Sequence, residues 1–137
     1  MAQTLEVRVE QDGASAAVGI VRNHRVAIDR PTAKGGTDKG PLGGEYLLVS
    51  LGGCFMSNLL AAIRARETAL GNVGNVGITV TATVEGTPDR VTAMAMTVEL
   101  PGADRETLEK LVEIAGRACI VTNTLKKALP ITVTCDV

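Results

Sequence analysis

Glu45-Tyr46-Leu47-Leu48-Val49-Ser50-Leu51-Gly52-Gly53-Cys54-Phe55 opens a long apolar segment. From it onward Leu47, Leu48, Leu51, Phe55, Leu59, Ala62 and Ile63 keep an i, i+3/i+4 rhythm, which predicts a helix over residues 45–70. Arg64, Arg66 and Glu67 mark where that helix becomes solvated, and Gly71-Asn72 supplies its stop. Leu47 to Phe55 is apolar on nearly every side, so this part is expected to be buried all round.

Two glycines precede Cys54, and each costs about 0.5–1 kcal/mol relative to alanine inside a helix. Such a pair suggests a need for space, for another backbone, a partner helix or a ligand. Two readings of Cys54 follow: a reactive thiol, or a small hydrophobe in a helix crossing. Cys119 lies near the end of a second helix, where an ionised thiol needs help, because a helix C-terminus disfavours negative charge. The N-terminus of a following helix, or Arg117, could supply that help; a buried structural thiol is the alternative. Cys135 shares a strand face with Ile131 and Val133 and reads as a core residue.

Upstream, Leu5, Val7 and Val9 alternate with charged residues as in a half-buried strand. Asp12-Gly13 signals a hairpin, Ala14 to Val21 its return strand, and His24 to Asp29 a third strand, with His24 at the turn. Arg30 to Gly43, rich in Gly and Pro, reads as a long loop, and such loops are functional or disordered. Downstream, Val76 to Glu85 and Arg90 to Leu100 are alternating strands joined at Gly86-Thr87-Pro88-Asp89, with Met94 and Met96 as core filler. Asp104 is placed to cap a second helix with Leu108, Leu111, Val112 and Ala115 inside. Thr122 to Leu129 reads as a short third helix, and Ile131 to Val137 as a last strand. This order predicts a single α+β domain over residues 1–137 with antiparallel sheets.

The sequence has 137 residues, 45% of them apolar, with no Trp, one Phe and one Tyr, so its core must be aliphatic. A net charge of -1 offers no electrostatic basis for binding nucleic acid or an anionic membrane. An alternating N-terminus with no long uncharged apolar stretch after it argues against a leader or a membrane span, and points to the cytoplasm. In a reducing compartment three cysteines are not a disulfide framework. With no CxxC spacing and His24 as the single histidine, no metal site and no cofactor are expected.

Gly35-Gly36-Thr37-Asp38-Lys39-Gly40-Pro41, followed by the Glu45-to-Cys54 run, resembles the OsmC/Ohr family of thiol peroxidases. Cys119-Ile120-Val121-Thr122-Asn123-Thr124-Leu125 is similar to that family's second cysteine signature, 65 residues after Cys54. With the element order, the resemblance covers essentially the whole chain. It implies an intertwined homodimer, antiparallel sheets wrapped around two long central helices, with sites at the dimer interface. It casts Cys54 as the thiol that attacks an organic hydroperoxide or hydrogen peroxide, and Cys119 as the thiol that resolves the sulfenic acid. An external dithiol, of lipoyl type or another thiol, would then reset the pair, as part of an oxidative stress response. Tyr46, Leu51 and Phe55 would line an aliphatic pocket suited to an alkyl hydroperoxide.

The chain departs from the family pattern at four places. Gly44 stands where a glutamate ten residues before the cysteine is usual, and the first hairpin turn has no arginine. Ile120 replaces a proline, and Gly116 a histidine. Glu45 is nine steps of about 100° from Cys54, on the opposite helix face, and is expected to serve the helix dipole instead. Arg22, Arg25 and Arg30 are substitutes for the absent activating arginine. A non-catalytic dimer that binds a small molecule in an interface pocket is the alternative function.

Overall fold

The computed structural model describes residues 2–66 and 70–137. Glu67 therefore lies outside the described residues. Contacts divide the chain into two compact units, Met1–Leu47 and Leu48–Val137, the division falling within the long helix.

The first unit holds β1 (Arg8–Gln11), β2 (Ala17–Val21) and β3 (His24–Ile28), a three-stranded antiparallel sheet in that order. Strand β1 begins three residues later than the alternation of Leu5, Val7 and Val9 predicts, and all three of those side chains are exposed. His24 is not in the turn but begins β3. The two-residue turn is Arg22-Asn23, with Arg22 at φ 53.

The Arg30-to-Gly43 loop is ordered by a buried acid. Asp29 is 2% exposed and accepts five hydrogen bonds. Oδ1 receives the Ser15 hydroxyl at 2.8 Å and the Arg30 N–H at 2.7 Å. Oδ2 receives the Thr37 hydroxyl at 2.6 Å and the N–H groups of Thr37 and Lys39, each at 3.1 Å. The Thr37 hydroxyl first, then the Lys39 N–H, the Ser15 hydroxyl and the Arg30 N–H hold this carboxyl well below the usual range, against burial, which pushes it up. The glycines let the loop close on itself: a Cβ on Gly36 would stand 1.9 Å from the Arg30 carbonyl oxygen.

Helix α1 is Gly43–Ala65; of the stretch expected to continue it to residue 70, residues 67–69 lie outside the described residues. Leu42 precedes it, and the Glu45 carboxylate accepts the Leu42 N–H at 2.8 Å, the returning half of a capping box.

In the second unit, β4 (Gly77–Glu85) and β5 (Arg90–Glu99) form the expected hairpin. Ile78, Val80 and Ala82 pair with Val98, Met96 and Met94 on one face, while threonines line much of the other. Helix α2 (Arg105–Ala118) starts at Asp104, whose side chain accepts the Thr107 N–H at 2.8 Å. Helix α3 is Ile120–Leu125, two residues earlier than the sequence suggests, because Cys119 itself is its N-cap. Strand β6 (Ile131–Asp136) lies beside β5 and runs parallel to it. This corrects the expectation of purely antiparallel sheets: the helical crossover from β5 returns the chain in the same direction, as parallel pairing requires.

The second unit's core is Leu51, Phe55 and Leu59 of α1, Met94, Met96 and Val98 of β5, and Leu108, Leu111 and Ala115 of α2. A Cβ on Gly52 would meet Val80 Cγ2 at 2.9 Å, so this glycine sits at a close crossing, whereas one on Gly116 would meet the Phe55 ring at 3.7 Å, an ordinary packing distance. The all-round burial expected for Leu47 to Phe55 is not found. Val49 is 60% exposed, Ser50 and Gly53 are exposed as well, and Gly53 has no atom within 4 Å of a would-be Cβ; beyond this stretch Leu60 is also exposed. Residues 46–63 also carry no charge, so a long uncharged apolar stretch does exist. By length and composition α1 could cross a membrane, a test that the central helix of a soluble domain passes equally.

Candidate active site

Cys54 projects from the middle of α1 and is partly buried. Groups of the second unit bear on its proton affinity. The backbone N–H groups of Val121 and Ile120, in the first turn of α3, act on it, and so does the Cys119 thiol. From its own helix, Asn58 Nδ2 donates to the Cys54 carbonyl oxygen at 3.0 Å and lies 3.9 Å from Cys54 Sγ.

Cys119 is fully buried at the junction of α2 and α3, in an extended conformation that turns one helix into the next. Its Sγ accepts the Thr122 N–H at 3.5 Å, a side-chain cap made by sulfur instead of oxygen. The help that a thiol at this junction needs thus comes from the following helix. Arg117 is spent on Glu113, on the exposed face of α2. The Thr122 hydroxyl oxygen in the same turn is buried with no hydrogen-bond partner.

Burial pushes the Cys54 thiol up. The Val121 N–H opposes it, the neighbouring Cys119 adds to it by hydrogen bond and by charge, and the Ile120 N–H opposes it again. The net direction favours the protonated thiol. Chemically, the arrangement offers a thiol, a second thiol near it, and backbone N–H groups that favour the ionised form of the first.

The remaining expected residues fall elsewhere. Glu45 is committed to the helix cap. Arg22, Arg25 and Arg30 are exposed on the first unit, and among the described residues none makes a side-chain hydrogen bond or ion pair. The Tyr46 hydroxyl donates to the Ala27 carbonyl oxygen at 2.6 Å and ties α1 to β3 within the first unit. Leu51 and Phe55 are completely buried and form core, not open pocket wall. The groove on this part of α1, about 400 Å³, is lined instead by Leu48, Val49, Gly52, Gly53, Met56 and residues of β4. Cys135 pairs with Val98 and is half-buried, as are Ile131 and Val133 on the same face, so it is not among the buried core residues. Burial pushes its thiol up as well, with Glu109 adding and Arg105 opposing.

Sequence reasoning missed Asn58 and Asp29. Asn58 has a legible signal, a polar side chain one turn beyond Cys54 in an apolar helix. Asp29 has a fainter one, an acid between an apolar strand and a loop rich in Gly, Pro and Thr.

The fold is shared with solved structures at low identity. A hypothetical protein from Aquifex aeolicus VF5 superposes with a TM-score of 0.81 at 16% identity, over 98% of this chain and 96% of that one. An organic hydroperoxide resistance protein OsmC from Legionella pneumophila gives 0.74 at 14% identity, over 99% and 100%. An organic hydroperoxide resistance protein from Elizabethkingia anophelis gives 0.72 at 17%, again over 99% and 100%. Among proteins of curated function, none matches the sequence at a significant level. The family model described as OsmC-like protein matches residues 36–134, which takes in the ordered glycine-rich loop, the Cys54 helix and the Cys119 junction. By that match, and by the fold that carries the two thiols to one place, this chain belongs to the OsmC-like protein family.

Proposed function

We propose that this protein is a thiol-dependent peroxidase that reduces organic hydroperoxides, and hydrogen peroxide as a lesser substrate, through Cys54 and Cys119. What supports the reading is that Cys119, the N-cap of α3, and the Val121 and Ile120 N–H groups of its first turn lie near enough to Cys54 to shift the proton affinity of its thiol. In the first step the Cys54 thiolate attacks the outer oxygen of the hydroperoxide. An S–O bond forms, the O–O bond breaks, and the alcohol leaves after taking a proton. Cys119 then attacks the sulfenic sulfur, forming the disulfide and releasing water. An external dithiol, of lipoyl type or another thiol, returns both sulfurs to thiols and is itself oxidised to a disulfide.

The protein works as a cytoplasmic homodimer in this proposal, and the exposed apolar face of α1 supports that state. A second copy would also bring a cation to Cys54; Arg22, Arg25 and Arg30 are the arginines without a side-chain partner in the first unit. Stopped-flow mixing with cumene hydroperoxide and a dithiol tests the chemistry. Wild type is expected to turn over, Cys54→Ser to be inactive, and Cys119→Ser to accumulate a sulfenic acid that dimedone traps. Equal turnover in Cys54→Ser removes the proposal.

The upward push on the Cys54 thiol favours one other reading, a dimer that binds a small molecule without turnover. One equivalent of peroxide separates the two. Loss of two free thiols supports the peroxidase, and three unreacted thiols support the binding protein.

A further inference from the structure

Between Tyr46 and Arg64, α1 carries three conventional polar side chains, Ser50, Ser57 and Asn58, and only Asn58 reaches the cysteine. Asparagine is among the poorer helix formers, costing roughly 0.6 kcal/mol against alanine. It stands four residues after Cys54, so the two side chains share one helix face. Its orientation is not ambiguous. A carbonyl oxygen only accepts, so the 3.0 Å contact with the Cys54 carbonyl fixes the NH2 group, not the amide oxygen, toward the cysteine. That nitrogen has two hydrogens. One is taken by the carbonyl, and the same nitrogen lies 3.9 Å from Sγ, within reach of a sulfur acceptor.

We propose that Asn58 is a further catalytic residue of this site, donating its second amide hydrogen to the Cys54 sulfur and, after oxidation, to the oxygen of the sulfenic acid. The inference rests on the peroxidase reading and extends it to a residue of α1 itself, one turn beyond Cys54. A long N–H···S contact to a neutral thiol is weak, but a donor in place gains strength as charge develops on the acceptor. Asn58 thus favours the thiolate over the thiol and steadies the sulfur for attack. When the S–O bond has formed and the alcohol has left, the amide hydrogen bonds the oxygen of the sulfenic acid while Cys119 attacks the sulfur, and that hydroxyl leaves as water with the proton of the Cys119 thiol. No proton is transferred from Asn58 at any point.

The test is the pH profile of Cys54 alkylation by iodoacetamide in the intact protein, read by mass spectrometry of the Cys54 peptide. Wild type is compared with Asn58→Leu, which keeps the volume and loses the donor, and with Asn58→Asp, which keeps the shape and reverses the polarity. Both profiles are expected to move to higher pH. Alkylation at pH 7 should fall about fivefold to tenfold in Asn58→Leu and further in Asn58→Asp, whose charge opposes the thiolate. The kcat/KM for cumene hydroperoxide should fall in parallel. A purely structural asparagine would lower the melting temperature without moving the profile. Should Asn58→Leu fail to fold, Asn58→Ala, which loses the donor without adding a charge, carries the comparison. Superimposed profiles overturn this inference whatever the peroxide result, whereas a wild type that consumes no peroxide overturns the peroxidase reading itself.

Discussion

The proton on Cys54 decides how this site works. Burial raises the thiol, and two backbone N–H groups only partly offset it, so the thiolate at neutral pH is scarcer than the few per cent of an ordinary cysteine. Because the folded value is raised, reactivity should climb with pH well past neutrality. Initial rates of peroxide loss are expected to rise about tenfold per pH unit from 7 to 8.5. A plateau already present at pH 7 would mean that a cation outside this chain's second unit stands beside the sulfur. Asp29 has the opposite sign. Its folded pKa is depressed, so its contribution is complete above the unfolded carboxylate value of about 3.9 and is lost as pH falls below it. Melting temperatures measured from pH 7 to pH 2 should show Asp29→Asn well below wild type at pH 7, with the gap closing toward pH 2. A constant gap would refute this role.

At the scale of elements, the glycines separate by what they touch. Gly36→Ala puts a methyl group onto the Arg30 carbonyl, and the loop is held on both sides by the Asp29 network, so it cannot yield. A loss of about 1–3 kcal/mol in urea unfolding is expected, as for an overpacked core site. Gly52→Ala meets only the Cγ2 of Val80, yet that contact lies where α1 crosses β4. Its cost should be smaller, about 1 kcal/mol after the gain in helix propensity is set against the clash. The long helix, the β4–β5 hairpin, the Asp104 cap and the methionine core of β5 were all legible in the sequence, because period and capping chemistry are local. The start of α3 was not. Its cap is a sulfur, Cys119 Sγ, and cysteine is not among the residues read as helix starts. The direction of β6 was equally hidden, since alternation predicts a strand but not its neighbour's sense.

Considered as a whole, the chain leaves one side of α1 without a cover, Val49 and Leu60 exposed and Gly53 facing open space. In the proposed homodimer a second copy takes that side. Sedimentation velocity should find wild type as a dimer, and Val49→Asp, which buries no charge within its own chain, as a monomer that keeps its far-UV spectrum. A dimeric Val49→Asp would exclude this face as the interface. The amino-acid order by itself determined the elements, the two cysteines of interest and the family pattern, since each rests on spacing along a few turns of chain. What only the tertiary structure decided was the company Cys54 keeps. Cys119 and the N–H groups of Ile120 and Val121 reach it from more than sixty residues away, and Asn58 matters only because its rotamer finds the sulfur. Long-range approach and the local dielectric set a thiol's proton affinity, and neither is written in the period of a helix.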